Sequence, residues 1–461
     1  MPGLTIIPGP MHAQWRAGAL VGLLVFGACM LGIVTRPVGF LAAFWPANAL
    51  ALGLMTRFPR LSVAGGWVGA ALGYMAADLL TGGQWLAVLW LTAANMSTVA
   101  TGALLFRRLR RSDLALRHPM SVLRLFFVCV AAAGVATLLG AWANPLFFGR
   151  PLVDGIAYWF SAELVNCIIV LPVILTLPDR PPAWPGLAAL RPRRLLPALG
   201  VGCSVGAAFL IGGPGAIAFP VPALIWCALS YGIFGTAILT MGTTGLMLVA
   251  VSAGWLPDLQ TISFLHETLS MRTGVTLLAL APLTVASINT AQNDLLRQLD
   301  HAASHDALTG CLNRAATLAA GAALISRAPP LAVLLIDIDH FKQVNDGHGH
   351  AAGDAVLACF GREITAQLRQ GDLLGRLGGE EFAVLLPATG ASDALAIAER
   401  LRRHVEGLAI AVAHGTLQIT ISAGVATAGP ENAAALADLL RDADKALYRA
   451  KGDGRNRVAA A

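Results

Sequence analysis

Along the first 290 residues the apolar positions run together in long stretches, neither alternating nor recurring on a single helical face. Stretches able to cross about 30 Å of hydrocarbon occur at 17–35, 39–56, 62–80, 84–106, 120–143, 157–177, 194–212, 215–231, 233–254 and 273–291. The pattern predicts ten membrane-spanning helices. From Ile288 polar residues return, while Ile288, Ala291, Leu295, Leu299 and Ala302 keep an apolar spacing of 3, 4, 4 and 3. That is the spacing of a coiled-coil seam, so a linker helix here would pair with a second copy; a lone amphipathic helix on its own domain has the same pattern. Further on, Leu331 to Asp339 reads as a short buried strand ending in two carboxylates, and alternation sends Asp337 and Asp339 to one face. Residues 372–387 read as a β-hairpin, with Gly378-Gly379-Glu380-Glu381 at the turn between Leu373–Leu377 and Phe382–Leu386. Helices at 353–369, 390–409 and 432–450 and a strand at 417–426 complete a central antiparallel sheet covered by helices.

Composition sharpens this picture. With 56% hydrophobic and only 13% charged residues, the chain is not a single soluble domain. Residues 1–292 carry 16 Lys and Arg against 7 Asp and Glu, whereas residues 293–461 carry 16 against 19. The net charge of +6 thus belongs to the apolar half. A nucleic-acid binder would concentrate its basic residues in the soluble part, so no nucleic-acid partner is expected. Arg57 with Arg60, the run Arg107, Arg108, Arg110 and Arg111, and the group Arg180, Arg191, Arg193 and Arg194 fall in every second connection; the alternate ones carry chiefly Arg36, Arg150 and Arg272. By the positive-inside rule the N-terminus and the soluble half both face the cytoplasm. The seven cysteines show no C-x-x-C spacing, and five lie within apolar stretches. They read as small buried hydrophobes rather than a disulfide framework or zinc knuckle. The first apolar stretch has no small-residue cleavage site and reads as a retained helix.

Polar residues within the spans are costly in lipid. For Asn48, Asn95 and Asn166 the plain reading is interhelical hydrogen bonding. Glu163 and Asp78 stay open between that role and a ligand or proton site. Transport is the competing function for such residues, but no inverted repeat or pair of broken helices is evident.

The soluble half carries the chemistry. A carboxylate at a strand end and another on an adjacent hairpin tip can share a Mg²⁺, which takes oxygen ligands and commonly keeps phosphate as a partner. That points to nucleotide chemistry.

Two resemblances follow. Phe44-Trp45-Pro46-Ala47-Asn48-Ala49-Leu50-Ala51-Leu52-Gly53-Leu54 and the run Pro222 to Gly232 resemble the bacterial MASE-type membrane-associated sensor domains, over about 16–290. Gly378-Gly379-Glu380-Glu381-Phe382 resembles the signature of the GGDEF family, the diguanylate cyclases, and its companions stand in order across about 296–461. These are Asp306-Ala307-Leu308-Thr309-Gly310-Cys311-Leu312-Asn313-Arg314, Asp337 to Lys342, Asn345-Asp346 with Gly349-His350 and Gly353-Asp354, Ala446 to Lys451, and Gly454-Arg455-Asn456. The second resemblance implies a ferredoxin-like fold of nucleotidyl-cyclase type and condensation of two GTP to cyclic di-GMP by two facing domains. Carried over residue by residue, it implies that Asp337, the Ile338 carbonyl and Glu380 hold Mg²⁺ or Mn²⁺, and that Glu380 takes the proton of the attacking hydroxyl. Asn345 and Asp354 would read guanine, and Lys342, Lys451 and Arg455 would meet the phosphates beside Gly378 and Gly379. Arg369-Gln370-Gly371-Asp372, with Arg376, would form an inhibitory site for the product.

The expectation is therefore a multi-span α-helical membrane bundle plus a cytoplasmic α/β cyclase domain, in a bacterial inner membrane. Its parts are a tail at 1–15, a sensor with an unknown ligand at 16–290, a linker helix at 291–305 and a cyclase at 306–461. A catalytically silent cyclic di-GMP receptor and a cyclase of altered base choice are the rivals.

Overall fold

The computed structural model describes residues 10–35, 42–179, 192–213, 215–255, 264–327, 330–412, 415–428 and 435–461, and the chain divides into two compact units, 1–294 and 295–461. Of the predicted positive positions, Arg36, Arg180 and Arg191 lie outside the described residues.

The first unit is helical: α1 (Met11–Val34), α2 (Ala47–Arg57), α3 (Ala64–Leu80), α4 (Trp85–Phe106), α5 (Arg111–Leu114), α6 (Ser121–Gly140), α7 (Ala143–Phe147), α8 (Leu152–Leu175), α9 (Pro192–Ile211), α10 (Val221–Ser230), α11 (Ile233–Ser252) and α12 (Phe264–Ser304), the last running on into the second unit. Each of the ten predicted stretches contains a helix, but among the described residues seven are long and apolar enough to cross a membrane. The predicted spans at 39–56 and 215–231 are α-helical only over the 11 residues of α2 and the 10 of α10, the latter preceded by a single 3₁₀ turn at Ala216–Ala218. At 1.5 Å per residue neither reaches much beyond about half of the hydrocarbon thickness. Proline sets both starts: Pro46 and Pro220 occupy the N-caps, where the missing N–H costs nothing.

Half-length α2 is nonetheless buried over most of its residues and packs against α1, α4 and α8. Polar residues of this core bond one another. Asn48 Nδ2 donates to Asn95 Oδ1 at 3.0 Å and to Glu163 Oε1 at 2.6 Å, Thr98 Oγ1 donates to Glu163 Oε2 at 3.1 Å, and the Trp45 backbone N–H donates to Asn166 Oδ1 at 3.0 Å. Asn48 and Asn95 thus take the interhelical role expected of them, whereas Asn166 bonds the non-helical stretch before α2 and, through Nδ2, the Ala162 carbonyl of its own helix at 2.8 Å. α1 and α3 meet through glycines: a Cβ on Gly18 would lie 2.8 Å from the Gly65 carbonyl oxygen, and one on Gly22 2.9 Å from that of Gly69. This is the small-residue packing that lets apolar helices approach where no hydrophobic drive separates protein from lipid.

In the second unit, α13 (Arg314–Arg327), β1 (Leu331–Ile338), α14 (Phe341–His348), α15 (His350–Gln367), β2 (Leu373–Gly378), β3 (Glu381–Pro387), α16 (Ala391–Glu406), β4 (Ile410–Val412), β5 (Gly415–Leu417), β6 (Ile421–Ala428), α17 (Leu436–Gly452) and β7 (Val458–Ala460) follow in order. A five-stranded sheet runs β2-β3-β1-β6-β7, antiparallel except for the β6–β7 pair, and β4 pairs with β5 apart from it. Every residue of β1 is buried, because helices cover both faces. Ala332, Leu334, Ile336 and Ile338 pack with α15 and α16, and Leu331, Val333 and Leu335 pack with α13 and α17. A strand covered on both sides reads as a continuous apolar run, which is why the sequence shows it so plainly. The expected sheet covered by helices is present; α13, α14, β4 with β5, and β7 were not anticipated.

Candidate active site

The site grows from the end of β1. Residue by residue the face alternates, so Asp337 continues the face of Leu335 toward α17, where it meets Lys451 Nζ at 2.6 Å. Burial pushes the Asp337 carboxyl up, the Lys451 hydrogen bond and charge pull it back, Asp339 adds to the rise and Arg455 opposes it; the net direction is upward. Asp339, one residue past the strand, lies on the same side, as alternation predicts, but is bonded differently. Its carboxylate accepts from Ser422 Oγ at 2.7 Å, Thr420 Oγ1 at 2.8 Å and the Asn456 backbone N–H at 3.0 Å. His340 then turns the chain with φ +57, and α14 begins.

Glu380 sits next to this end because β3 is the neighbour of β1. Gly378 pairs with Glu381, leaving the two-residue turn Gly379-Glu380. Gly379 has φ +51 at the position where primed hairpin turns demand a left-handed residue. The Ile338 N–H donates to the Glu380 carbonyl at 3.4 Å, tying the turn to β1. Arg376 holds the turn from the other side, donating from Nε and Nη2 to the Gly379 carbonyl at 2.9 and 2.7 Å, while its Nη1 donates to both oxygens of Asp306 at 3.1 and 3.2 Å. Burial alone would raise the Asp306 carboxyl, but hydrogen bonds from Thr309 and the Arg376 contact hold it below the usual range. Arg376 is therefore engaged with the loop that follows α12.

Lys342 is exposed on the first turn of α14. α14 and α15 break at Gly349, φ +81. Gly353 on α15 packs beneath the Asn345 side chain, where a Cβ would collide with Oδ1, and Asp354 is exposed beside it. Arg455 and Asn456 follow α17 with φ +62 and +44. Asn456 anchors that turn, accepting from Arg402 Nη1 at 2.7 Å and donating to Glu406 Oε1 at 2.7 Å. Away from this cluster, Arg369 Nε donates to Asp372 Oδ1 at 3.1 Å, and its Nη2 donates to the Pro387 carbonyl at 2.7 Å and to Thr389 Oγ1 at 2.9 Å. Arg369 and Asp372 are thus together, whereas Arg376 serves the catalytic hairpin.

The donors at the end of β1 suit a hard cation: two carboxylates, Asp337 and Glu380, with backbone carbonyl oxygen nearby. Among the described residues no group of three or more His, Cys, Asp and Glu forms a metal cage. A site of one or two carboxylates that leaves room for phosphate and water is the arrangement Mg²⁺ uses.

Residues 303–457 match the GGDEF domain of diguanylate cyclases. Over 436 residues the chain is 34% identical to a probable diguanylate cyclase, DgcF, of Escherichia coli O157:H7, covering 93% of this chain and 91% of that protein. This chain belongs to the GGDEF family of diguanylate cyclases. The cyclase half is also 46% identical over 175 residues to the response regulator PleD of Caulobacter vibrioides, covering 36% of this chain and 38% of that one. The crystallised coiled coil and GGDEF domain of DgcB from Caulobacter crescentus, in complex with c-di-GMP, is 30% identical over 37% of this chain and 92% of its own, with a TM-score of 0.35. As a GGDEF cyclase this enzyme uses a divalent metal ion. Sequence reasoning missed the structural part of Asp339 and the bond of Arg376 to Asp306; the motif order brought these residues into view but not their partners.

Proposed function

We infer that this cyclase condenses two GTP into cyclic di-GMP with release of two pyrophosphates, and that it does so at the cytoplasmic face of a bacterial inner membrane. The observation that carries the reading is the meeting of Asp337, its Lys451 partner and the Glu380 turn at one end of the sheet. In each half-reaction the 3′-oxygen of one GTP attacks the α-phosphorus of the other. The bond to the bridging β-phosphate oxygen breaks, pyrophosphate leaves, and the hydroxyl proton passes to the Glu380 carboxylate. Asp337, the Ile338 carbonyl and Glu380 would hold Mg²⁺ or Mn²⁺, which when bound neutralises phosphate charge and lowers the hydroxyl pKa.

Lys342, Lys451 and Arg455 contribute positive charge for the triphosphate, beside the glycine backbone at Gly378 and Gly379. Asn345, lodged over Gly353, and Asp354 supply an acceptor pattern for guanine N1–H and N2–H that adenine does not answer. One GTP per domain requires two copies. The exposure of Leu295, Leu296 and Leu299 on α12, at 55, 62 and 57%, supports pairing through that helix. Product analysis from mixed GTP and ATP with Mg²⁺ tests the reading: cyclic di-GMP alone is expected. An adenine-containing product would transfer the chain to an altered base choice, and no product with retained cyclic di-GMP binding to a silent receptor.

The α-helical N-terminal unit we read as a MASE-type sensor embedded in the lipid bilayer. Its crossings are the seven long helices, the 17-residue α3 and the two stretches that hold α2 and α10; α1 and α3 run parallel, Gly18 beside Gly65 and Gly22 beside Gly69, so the stretch between them returns across. That number is even, and both the N-terminus and the cyclase lie in the cytoplasm. Reporters fused after residues 115 and 461 are then expected to read cytoplasm, and one after 149 periplasm. A periplasmic reading at 115 overturns the orientation.

Arg369 and Asp372 form the proposed product site, where cyclic di-GMP would share the guanidinium now bonded to Asp372, Pro387 and Thr389. Arg369→Ala is expected to leave initial rates near wild type and to weaken product inhibition by at least about tenfold, some 1.4 kcal/mol of binding. Progress curves with added cyclic di-GMP measure this. Unchanged inhibition would make Arg369 an ordinary surface residue.

A further inference from the structure

The N-terminal unit encloses a cavity of about 420 Å³, within the size range of small-molecule sites, that the cyclase chemistry does not use. It forms where α2 falls short: Ala42 and Trp45, in the non-helical stretch before α2, line it together with residues of α3, α4, α7 and α8. Non-helical backbone inside a helical membrane unit is tolerated where it is buried in protein or borders a cavity.

The lining is chemically one-sided. Five aromatic side chains, Trp45, Phe147, Phe148, Tyr158 and Trp159, share it with two acids, Asp78 and Glu163, and no Lys, Arg or His is among the described lining residues. Glu163 is 5% exposed. Its carboxyl is met by the neutral donors Asn48 and Thr98, and it makes no ion pair among the described residues. Asn144, 4% exposed and also in the lining, has an Nδ2 without a hydrogen-bond partner among the described residues. Arg272 is a cation bonded to the wall, and Arg150 stands near Tyr158, its backbone N–H donating to the Asn144 carbonyl at 3.1 Å. Arg272 donates to the carbonyls of Ala42 at 3.0 Å and Tyr158 at 3.4 Å, tying the stretch before α2 to α8, and is not itself a lining residue.

A carboxylate buried among neutral donors lacks the counter-charge that such a site needs. Aromatic faces add negative potential without water to screen it. The five rings beside the lining's oxygens suit an organic body better than a bare metal ion, which asks for a full shell of oxygens, and the Glu163 carboxylate disfavours an anion. We propose that this cavity binds a small organic cation, an ammonium on an aromatic or aliphatic body, with its charge answered by Glu163 and its body by the aromatic wall. The inference stands independently of the GTP chemistry.

The test uses the full chain in nanodiscs, with radiolabelled phenethylamine as the probe, empty nanodiscs as the blank, and unlabelled phenethylamine, 2-phenylethanol and phenylacetate as competitors of one shape and three charges. Saturable binding is expected, displaced by the amine at least about tenfold better than by the alcohol, and less well still by the acid. Glu163→Gln, which keeps the shape, should reduce the amine-over-alcohol preference to below about threefold. Absence of saturable amine binding, equal displacement by alcohol or acid, or a Glu163→Gln protein with its preference intact would each overturn the proposal. Where Glu163→Gln fails to fold by size-exclusion chromatography, the charge series on the wild-type chain is decisive by itself.

Discussion

Glu380→Gln is expected to lower cyclic di-GMP formation by at least about a thousandfold, roughly 4 kcal/mol of transition-state stabilisation. The substitution is nearly isosteric, and none of the bonds that shape the turn uses the Glu380 side chain: Ile338 donates to the backbone carbonyl of residue 380, and Arg376 to that of Gly379. What disappears is the negative charge that is proposed both to hold a divalent cation and to receive a proton. Quantifying product by chromatography at saturating GTP and Mg²⁺ gives the rate, and amide hydrogen exchange across β2 and β3 shows whether the hairpin persists. An intact hairpin with activity within tenfold of wild type would remove Glu380 from the mechanism.

Asp339→Ala should produce a loss of a different kind. Asp339 is 5% exposed, and its carboxylate receives two hydroxyls and one backbone N–H. Truncation strands Ser422 Oγ and the Asn456 N–H in the interior and releases the turn that carries Arg455. Breaking a buried, charge-assisted network of this kind costs about 3–5 kcal/mol. Opening of β1 and β6, read by hydrogen exchange, should therefore become at least about a hundredfold more frequent. If protection in those strands is unchanged, the network carries little stability. The two acids differ in what they touch: Asp337 faces Lys451 and the Glu380 turn, whereas Asp339 is consumed by its own structural bonds.

The contrast marks where sequence reasoning stops. The order of the cyclase elements and the carboxylate-ended strand are local facts. An apolar run long enough for one strand, two acids at its end, and Gly-Gly leading into a two-residue turn each act within a few positions, so β1 and the β2–β3 hairpin were legible without a structure, as was the apolar, helix-forming character of the first 290 residues. Which acid meets Lys451 beside the Glu380 turn and which is taken up by structural bonds depended on Lys451, Ser422 and Asn456, all far along the chain, and on the β1–β6 pairing that brings them in. Likewise, the 11 residues of α2 lie inside an apolar stretch, 39–56, that is long enough for a full span. Only packing against α1, α4 and α8 shows a half-length helix buried in the bundle, with Asn48 reaching Glu163 115 positions away. Local pattern decides what a segment becomes, because propensity and burial act over a turn or a strand. Tertiary packing alone decides which polar groups find partners and which are left facing a cavity.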